Sequence, residues 1–373
     1  MIEIREVKTK KEQKQFINLY IKMYKGNKAW CPPLVVDEVR IFDKDYPYLD
    51  TAEAKYWLAF KDGKLVGRIS AIWQKASNEK WGQKRVRFTR FDCIDDQEVA
   101  DALFNTAEAW AKEQGLTEIA GPLGFNDLER EGLLVDGFEW LNTFEEQYNY
   151  PYYEKLILNH GFKQEVEWIE HRLFPRKEEL DKVIRVGDMI EARGKLHVVP
   201  KMKFKKFVKE YRDQFFEIYD AGYEKLFGSV PFTQGMKKTI IENYALAINM
   251  NYLITAVDDD NNIKALAFCI PSLSAVLQKS NGHLYPWTII KLLHTVRHPK
   301  RIDLGFVTCA PGENLEGGVA LVYGKICQQI KKDKLEYVET NLNLTTNKDI
   351  IATWDHFDHI THKKRRSYVK TIE

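Results

Sequence analysis

The residues best suited to chemistry in this chain are glycines that bring their backbone with them. Pro311-Gly312-Glu313-Asn314-Leu315-Glu316-Gly317-Gly318-Val319-Ala320 carries three glycines between a predicted strand, Ile302 to Cys309, and a predicted helix from about Val319 to Lys332. A loop entering a helix N-terminus aims several free N–H groups at one point, and the helix dipole adds to their attraction for an anion. Glycine lets a phosphate approach that backbone closely. Glu313 and Glu316 stand in the loop and no Arg or Lys does, so such a cradle relies on N–H groups alone. A glycine-rich turn without a ligand is the competing reading. The counterpart in the first half, Asp95-Asp96-Gln97-Glu98-Val99-Ala100, has no glycine and places carboxylates where an anion would sit.

Other constellations read more plainly. His356, His359 and His362 recur every third residue, a spacing that can converge on zinc. A polar, frayed helix end leading into the Lys363–Arg366 strand is the preferred reading, and no metal is expected. Asp258-Asp259-Asp260-Asn261-Asn262 lacks the glycine and distal glutamate of a calcium loop and reads as a hairpin turn. Cys309 has no histidine near it in sequence and reads as a small apolar residue. The acidic stretch with Asn126, Asp127, Glu129, Glu131 and Asp136 would suit a cationic acceptor if it faces a cleft, and is otherwise an exposed loop. The run Lys363-Lys364-Arg365-Arg366 reads as the solvated face of a strand. His283 to Pro299 reads as an amphipathic helix packed beside the second cleft.

The elements that must position these residues occur twice. Tyr56 to Phe60, a turn at Lys61-Asp62-Gly63-Lys64 and Leu65 to Ile72 predict a hairpin, followed by a strand from Arg85 to Ile94. Val99, Leu103, Ala107, Trp110 and Ala111 lie on one face of a helix from Glu98 to Gln114, with Asp95 as its cap and Gly115 as its stop. Leu116 to Leu123 follows as a strand. The second half repeats the order: Tyr252 to Val257, Ile263 to Ile270, Ile302 to Cys309, a helix with Val319, Val322, Tyr323, Ile326 and Ile330 on one face, then Leu335 to Leu344. The fold class is therefore α/β, each half an α+β mixed sheet with helices on its faces. The predicted division is residues 1–175, a linker at 176–200 holding a charged helix (Lys177 to Arg193) and the start of a strand (Leu196 to Met202), and residues 201–373.

Composition bounds the rest. The chain of 373 residues is 44% hydrophobic and 29% charged, which excludes disorder and suits two domains. Fifty-six basic against 54 acidic residues leave +2, so no general attraction to nucleic acid or a membrane is expected. Five dispersed cysteines, no apolar leader and no run of about 18 apolar residues lead to the expectation of a cytoplasmic protein. Oligomeric state leaves no signature in the sequence.

The order of elements resembles the GNAT (N-acetyltransferase) fold. Ala120-Gly-Pro-Leu-Gly-Phe-Asn-Asp, Glu131-Gly-Leu-Leu-Val-Asp-Gly-Phe, Tyr148-Asn-Tyr-Pro-Tyr-Tyr-Glu-Lys, His160-Gly-Phe-Lys, Val230-Pro-Phe-Thr and Gly282-His-Leu-Tyr-Pro resemble a bacterial family with two GNAT-like domains in tandem. The resemblance covers nearly the whole chain. It implies direct acyl transfer, without a covalent intermediate, from acetyl-CoA or another acyl-CoA to a small-molecule or peptide amine. It places pantetheine along Val307, Thr308 and Cys309, and the pyrophosphate on Gly312, Asn314, Leu315, Gly317, Gly318 and Val319. That loop keeps the first glycine of the family's Gln/Arg-x-x-Gly-x-Gly/Ala pattern, lacks its Arg or Gln, and ends in valine. The first domain's loop is the degenerate one. Neither half presents the family's tyrosine acid at the expected place, and Asn343 and Asn347 are the candidates for the cleft's polar wall. A catalytically silent ligand-binding protein of the same fold, or an aminoacyl or peptidyl transferase of the Fem type, are the alternatives.

Overall fold

The computed structural model describes residues 1–310 and 315–372. In chain order the first half contains β1 (Ile2–Glu6), α1 (Lys10–Tyr24), α2 (Val35–Arg40), β2 (Ala52–Lys61), β3 (Lys64–Gln74), α3 (Lys75–Trp81), β4 (Arg85–Cys93), α4 (Gln97–Glu113), β5 (Glu118–Gly121), β6 (Leu133–Asp136), α5 (Tyr152–Asn159) and β7 (Lys163–Phe174). Then come α6 (Lys177–Ala192), β8 (His197–Val198), α7 (Phe204–Tyr223), α8 (Gln234–Tyr244), β9 (Leu253–Val257), β10 (Ile263–Pro271), α9 (Ser274–Ser280) and α10 (Pro286–Arg297). The chain continues through β11 (Arg301–Cys309), α11 (Leu315–Asp333), β12 (Tyr337–Glu339), β13 (Asn343–Leu344), α12 (Lys348–Trp354) and β14 (Asp358–Thr371).

Local chemistry accounts for the best-formed elements. Asp62 and Gly63 both take positive φ, 50° and 75°, the combination that lets a two-residue turn match the twist of β2 and β3. The apolar stripe of α4 is buried against the sheet, and Gly115 ends that helix at φ 71°. The cap is Asp96, whose carboxylate accepts from the Glu98 N–H, one residue later than predicted. Helix α11 starts at Leu315, so Gly317 and Gly318 belong to its first turn and not to a loop. Gly324 of α11 meets Gly187 of α6 so closely that a Cβ on Gly324 would lie 2.8 Å from the Gly187 Cα. Two of the predicted strands are shorter than expected: Leu335 to Leu344 breaks into β12 and β13, and Leu196 to Met202 contracts to β8.

Among the described residues the strands form one sheet of 14, ordered β1-β2-β3-β4-β5-β14-β7-β12-β11-β10-β9-β8, with β6 and β13 as branches. The two halves mirror each other outward from its centre. Only β4–β5 and β11–β12 are parallel. The long central strands β7 and β14 pair antiparallel from Asp358↔Phe174 to Val369↔Lys163, and β14 also pairs with β5. Helices α4 and α5 cover one core in the first half, and α6, α11 and α12 cover one in the second. A third core mixes both halves: Phe16, Tyr56 and Phe60 pack with Phe216, Tyr219, Phe232 and Met236.

The basic run on β14 is not a solvated face. Lys363 and Arg365 are 1% and 0% exposed. Glu170 of β7 accepts from Arg365 Nε and Lys363 Nζ, each at 2.7 Å, and Glu146 accepts from Arg365 Nη2 at 3.1 Å. Two buried cations thus face two buried carboxylates. Burial alone would raise the Glu170 pKa, but Lys363 and Arg365 outweigh it and hold that carboxyl well below its usual range.

Removing one partner strands a buried charge. Arg365→Met is therefore expected to lower unfolding free energy by about 3–5 kcal/mol in urea titration. A second expectation concerns His171 on β7, whose Nδ1 lies 3.0 Å from the Thr361 hydroxyl. Burial, then the neighbouring His359 and His362, lower its pKa from 6.5 to about 4. Between these values the folded protein holds His171 neutral while the unfolded chain protonates it, so this group withdraws stability as pH falls from 6.5 toward 4. His171→Gln should show a smaller loss of urea midpoint between about pH 7 and pH 5 than the parent does.

Candidate functional site

Each parallel pair holds together for only three residues, Arg85↔Glu118 to Arg87↔Ala120 in the first half and Arg301↔Tyr337 to Asp303↔Glu339 in the second. Beyond those points the ladders end, with one further bond in the first half from the Leu123 N–H to the Phe88 carbonyl at 2.9 Å, and each half has a wedge edged by backbone polar groups.

The first wedge is filled from within. Cys93 N–H donates to the Tyr153 hydroxyl at 3.0 Å, and the Cys93 carbonyl accepts from the Tyr152 hydroxyl at 2.7 Å, both tyrosines coming from α5. At the start of α4 the Asp96 carboxylate caps the helix and pairs with Lys61, so that anion position is already taken.

In the second wedge the Ala310 N–H donates to the Lys264 carbonyl of β10, at 2.8 Å. Alternation along β11 then turns the backbone groups of Val307 and Cys309 toward the wedge and those of Thr308 toward β10. The Thr308 hydroxyl donates to the Ile218 carbonyl of α7. Val307 N–H faces the Tyr223 hydroxyl, also on α7, and the Gly305 carbonyl accepts from the Asn341 side chain at 3.2 Å. Gly312 and Asn314 lie outside the described residues. Leu315, Gly317, Gly318 and Val319 form the start of α11, where the N–H groups of Leu315 and Gly317 lie before the first intrahelical bonds. A Cβ on Gly317 would have its nearest neighbour at 3.9 Å, whereas one on Gly318 would lie 2.8 Å from the Ala265 Cβ. Among the described residues Gly317 therefore borders open space, and Gly318 serves the packing of α11 on β10. Asn343 and Asn347 are engaged elsewhere: Asn343 accepts from the Trp354 indole at 2.7 Å, and Asn347 caps α12.

Two chambers with lining residues in common lie where the halves meet. The apolar one is walled by Phe207, Phe215, Phe216, Phe232 and Phe268 and reaches Gly305, Phe306 and Asn341 at the mouth of the second wedge. The polar one is walled by Asp37, Glu38, Arg68, Arg90, Asp92, Glu129, Arg130 and Glu145, five carboxylates to three guanidinium groups. Leu128, Glu145, Ile240 and Tyr244 line both and form the waist between them. Arg68 pairs with Asp92 at 2.7 Å and Arg90 with Glu38 at 3.1 Å, while Arg130 is tied to the Phe144 carbonyl. The surplus is negative. Arg90 holds φ 47°, an unusual backbone for a long side chain and one that turns it toward Glu38. At the waist the Tyr244 hydroxyl donates to Glu145. Burial raises the Glu145 pKa against the opposing effects of Tyr244 and Arg130, and burial together with the Glu145 charge raises that of Tyr244. Asp37 is pushed up to about 6, by burial first and then by Glu38.

No family model matches the chain. A solved tandem GNAT protein from the clavulanic acid biosynthesis pathway superposes with a TM-score of 0.57 over 100% of this chain and 99% of that one, at 11% identity. The fold is that of a tandem GNAT protein. Protein YghO of Escherichia coli is 27% identical over 296 residues, 78% of this chain and 73% of its own length. The bacterial ceramide synthase of Caulobacter vibrioides is 24% identical over 293 residues, 77% and 74% of the two chains.

Sequence reasoning missed the chambers. The acidic stretch was the one signal for them: Glu129 lines the polar chamber, while Asp127 accepts from the Tyr219 hydroxyl across the halves at 2.9 Å. Glu145 and Tyr244, far apart in sequence, gave none. If the anion cradle lies at α11, Gly317→Glu should leave stability intact and weaken CoA binding about tenfold or more in calorimetric titration. Gly318→Leu should instead cost about 1–3 kcal/mol of stability through overpacking.

Proposed function

We propose that this protein is an acyl-CoA-dependent N-acyltransferase, with the acyl-CoA in the second half and an amine acceptor in the chamber between the halves. The observation that carries the reading is the shared wall: an apolar chamber reaching the second wedge at Gly305 and Phe306 meets, at Glu145 and Tyr244, a chamber with surplus carboxylate. The thioester would lie at the wedge mouth with its acyl chain among the phenylalanines. An ammonium group is drawn to the carboxylates, releases one proton to solvent to free its lone pair, and is held there as the neutral amine. Glu145, a stronger base than an exposed carboxylate, takes the proton of the amine as its nitrogen attacks the thioester carbonyl. The C–N bond forms, the C–S bond breaks, and the thiolate leaves with a proton from Tyr244, which Glu145 returns. The Val307 N–H, on the wedge side of β11, would donate to the carbonyl oxygen in place of the Tyr223 hydroxyl that it faces.

The likeness to a ceramide synthase supports a long-chain substrate, since ceramide is an N-acylated long-chain amine and the apolar chamber is lined by aromatic rings. A second reading has one observation in its favour. Tyr223 and Asn341 already meet the wedge-side groups of Val307 and Gly305, as expected of a silent protein that binds a ligand without turning it over.

Calorimetry with CoA and acyl-CoAs of increasing length, followed by an amine screen, tests the proposal. Micromolar binding and amide formation are expected; binding of an amine without any affinity for CoA would leave the silent reading. Glu145→Gln should lower kcat about a hundredfold or more while leaving the Kd for acyl-CoA unchanged within about twofold.

A further inference from the structure

The stretch from Asn261 to Ile302 contains no aspartate or glutamate, in a chain that carries 54 acidic residues among 373. It does contain Lys279, Lys291, Arg297 and Lys300, all exposed, and among the described residues no ion pair engages any of the four. In its middle sits α10. One face of that helix, Thr288, Leu292 and Val296, is buried and docks it on the domain. The opposite side is apolar and bare: Trp287 is 60% exposed, Ile290 67% and Leu293 36%, at successive spacings of three. Tyr285 extends the patch, its ring stacked on that of Trp287 with centroids 4.8 Å apart.

An exposed Trp, Tyr, Ile and Leu cluster carries an unfavourable hydration cost in water unless something covers it. Bulky apolar and aromatic residues flanked by Lys and Arg on one helix are the pattern of a segment that lies in a lipid headgroup layer. The aromatic rings settle at the polar–apolar boundary, and the long basic side chains reach up to phosphate groups. A second copy of this chain is a poor occupant. A two-fold contact would set the same basic patch against itself, with no acidic residue in the stretch to answer it. We propose that α10 and its flanks are a docking surface for an anionic bilayer, into which Trp287 and Ile290 insert. The helix lies in the interface and does not cross it; among the described residues no helix is long and apolar enough to do so. This reverses the expectation, drawn from net charge alone, that no membrane is a partner.

The surface stands beside the polar chamber. The Val35 N–H donates to the Gly282 carbonyl, joining α2 to the turn before α10, and α2 supplies Asp37 and Glu38 to the chamber wall. Val36 and Val39 of α2 are themselves exposed. The inference holds whether or not the chamber performs acyl transfer.

Co-sedimentation of the full chain with vesicles tests it, using phosphatidylcholine alone and phosphatidylcholine with phosphatidylglycerol. Binding to the anionic vesicles is expected to exceed that to neutral ones about tenfold and to weaken in high salt. Trp287→Glu combined with Ile290→Glu should abolish it while leaving the thermal midpoint unchanged within about 2 °C, since both residues are exposed. Brominated lipid should quench the parent's fluorescence and quench the Trp287→Phe variant less. The proposal is overturned if the parent stays in the supernatant with anionic vesicles, or if the double variant sediments as well as the parent. It is also overturned if the parent ignores vesicles and sedimentation velocity shows a dimer that the double variant dissolves.

Discussion

Everything in this structure hangs on two positive charges buried in the middle of a sheet. Lys363 and Arg365 project from β14 into a space closed by Glu170 and Glu146, and those carboxylates, with the Gln147 carbonyl that accepts from Arg365, make their burial tolerable. The arrangement ties the latest strand of the chain to a strand and a loop from the first half. Replacing such a cluster with apolar side chains is often neutral, so its value is better sought in specification. A strand with cations at alternate positions is what Glu170 and Glu146 require beside β7. A slip by one residue would bring Lys364 and Arg366 to that face in place of Lys363 and Arg365, so the charges select a cationic strand and the rest of β14 sets its register.

The cluster also anchors one wall of the chambers. Glu145 and Glu146 are neighbours, and the loop that delivers Glu146 to the buried cluster delivers Glu145 to the waist. The second half contributes Tyr244 from α8, held by the aromatic core that both halves share. The site is therefore a product of the seam. Its raised carboxylate, its proton donor and its apolar wall come from elements that meet only once the two halves are in place.

Much of the architecture was legible in the sequence. The hairpin at Asp62-Gly63, the stripe of α4 and the duplicated strand order all rest on local chemistry, and local chemistry is what periodicity reports. The charge of Lys363 to Arg366 misled because alternation along a strand puts Lys363 and Arg365 on one face and Lys364 and Arg366 on the other. Which face is dry depends on partners nearly 200 residues away. The start of α11 was placed late because glycines read as a loop, whereas Gly318 and Gly324 are needed where helix meets sheet and helix meets helix. The waist was invisible for the same reason as the buried cluster. Glu145 and Tyr244 belong to no motif, and only the tertiary fold brings them together.

The position of β14 in the sheet also governs how the molecule must be made. During synthesis β5 and β7 emerge early, yet the strand that lies between them comes after every other strand in the sheet. Until it arrives, two strand edges stand open and Glu170 has neither of its cations. The nascent first half cannot close on itself as an autonomous unit, and its exposed edges are the kind that pair with the wrong chain. A tandem repeat would ordinarily let one module fold while the other is still being translated. Here the exchange of a single strand gives up that independence, and the two halves must reach their native form as one cooperative event.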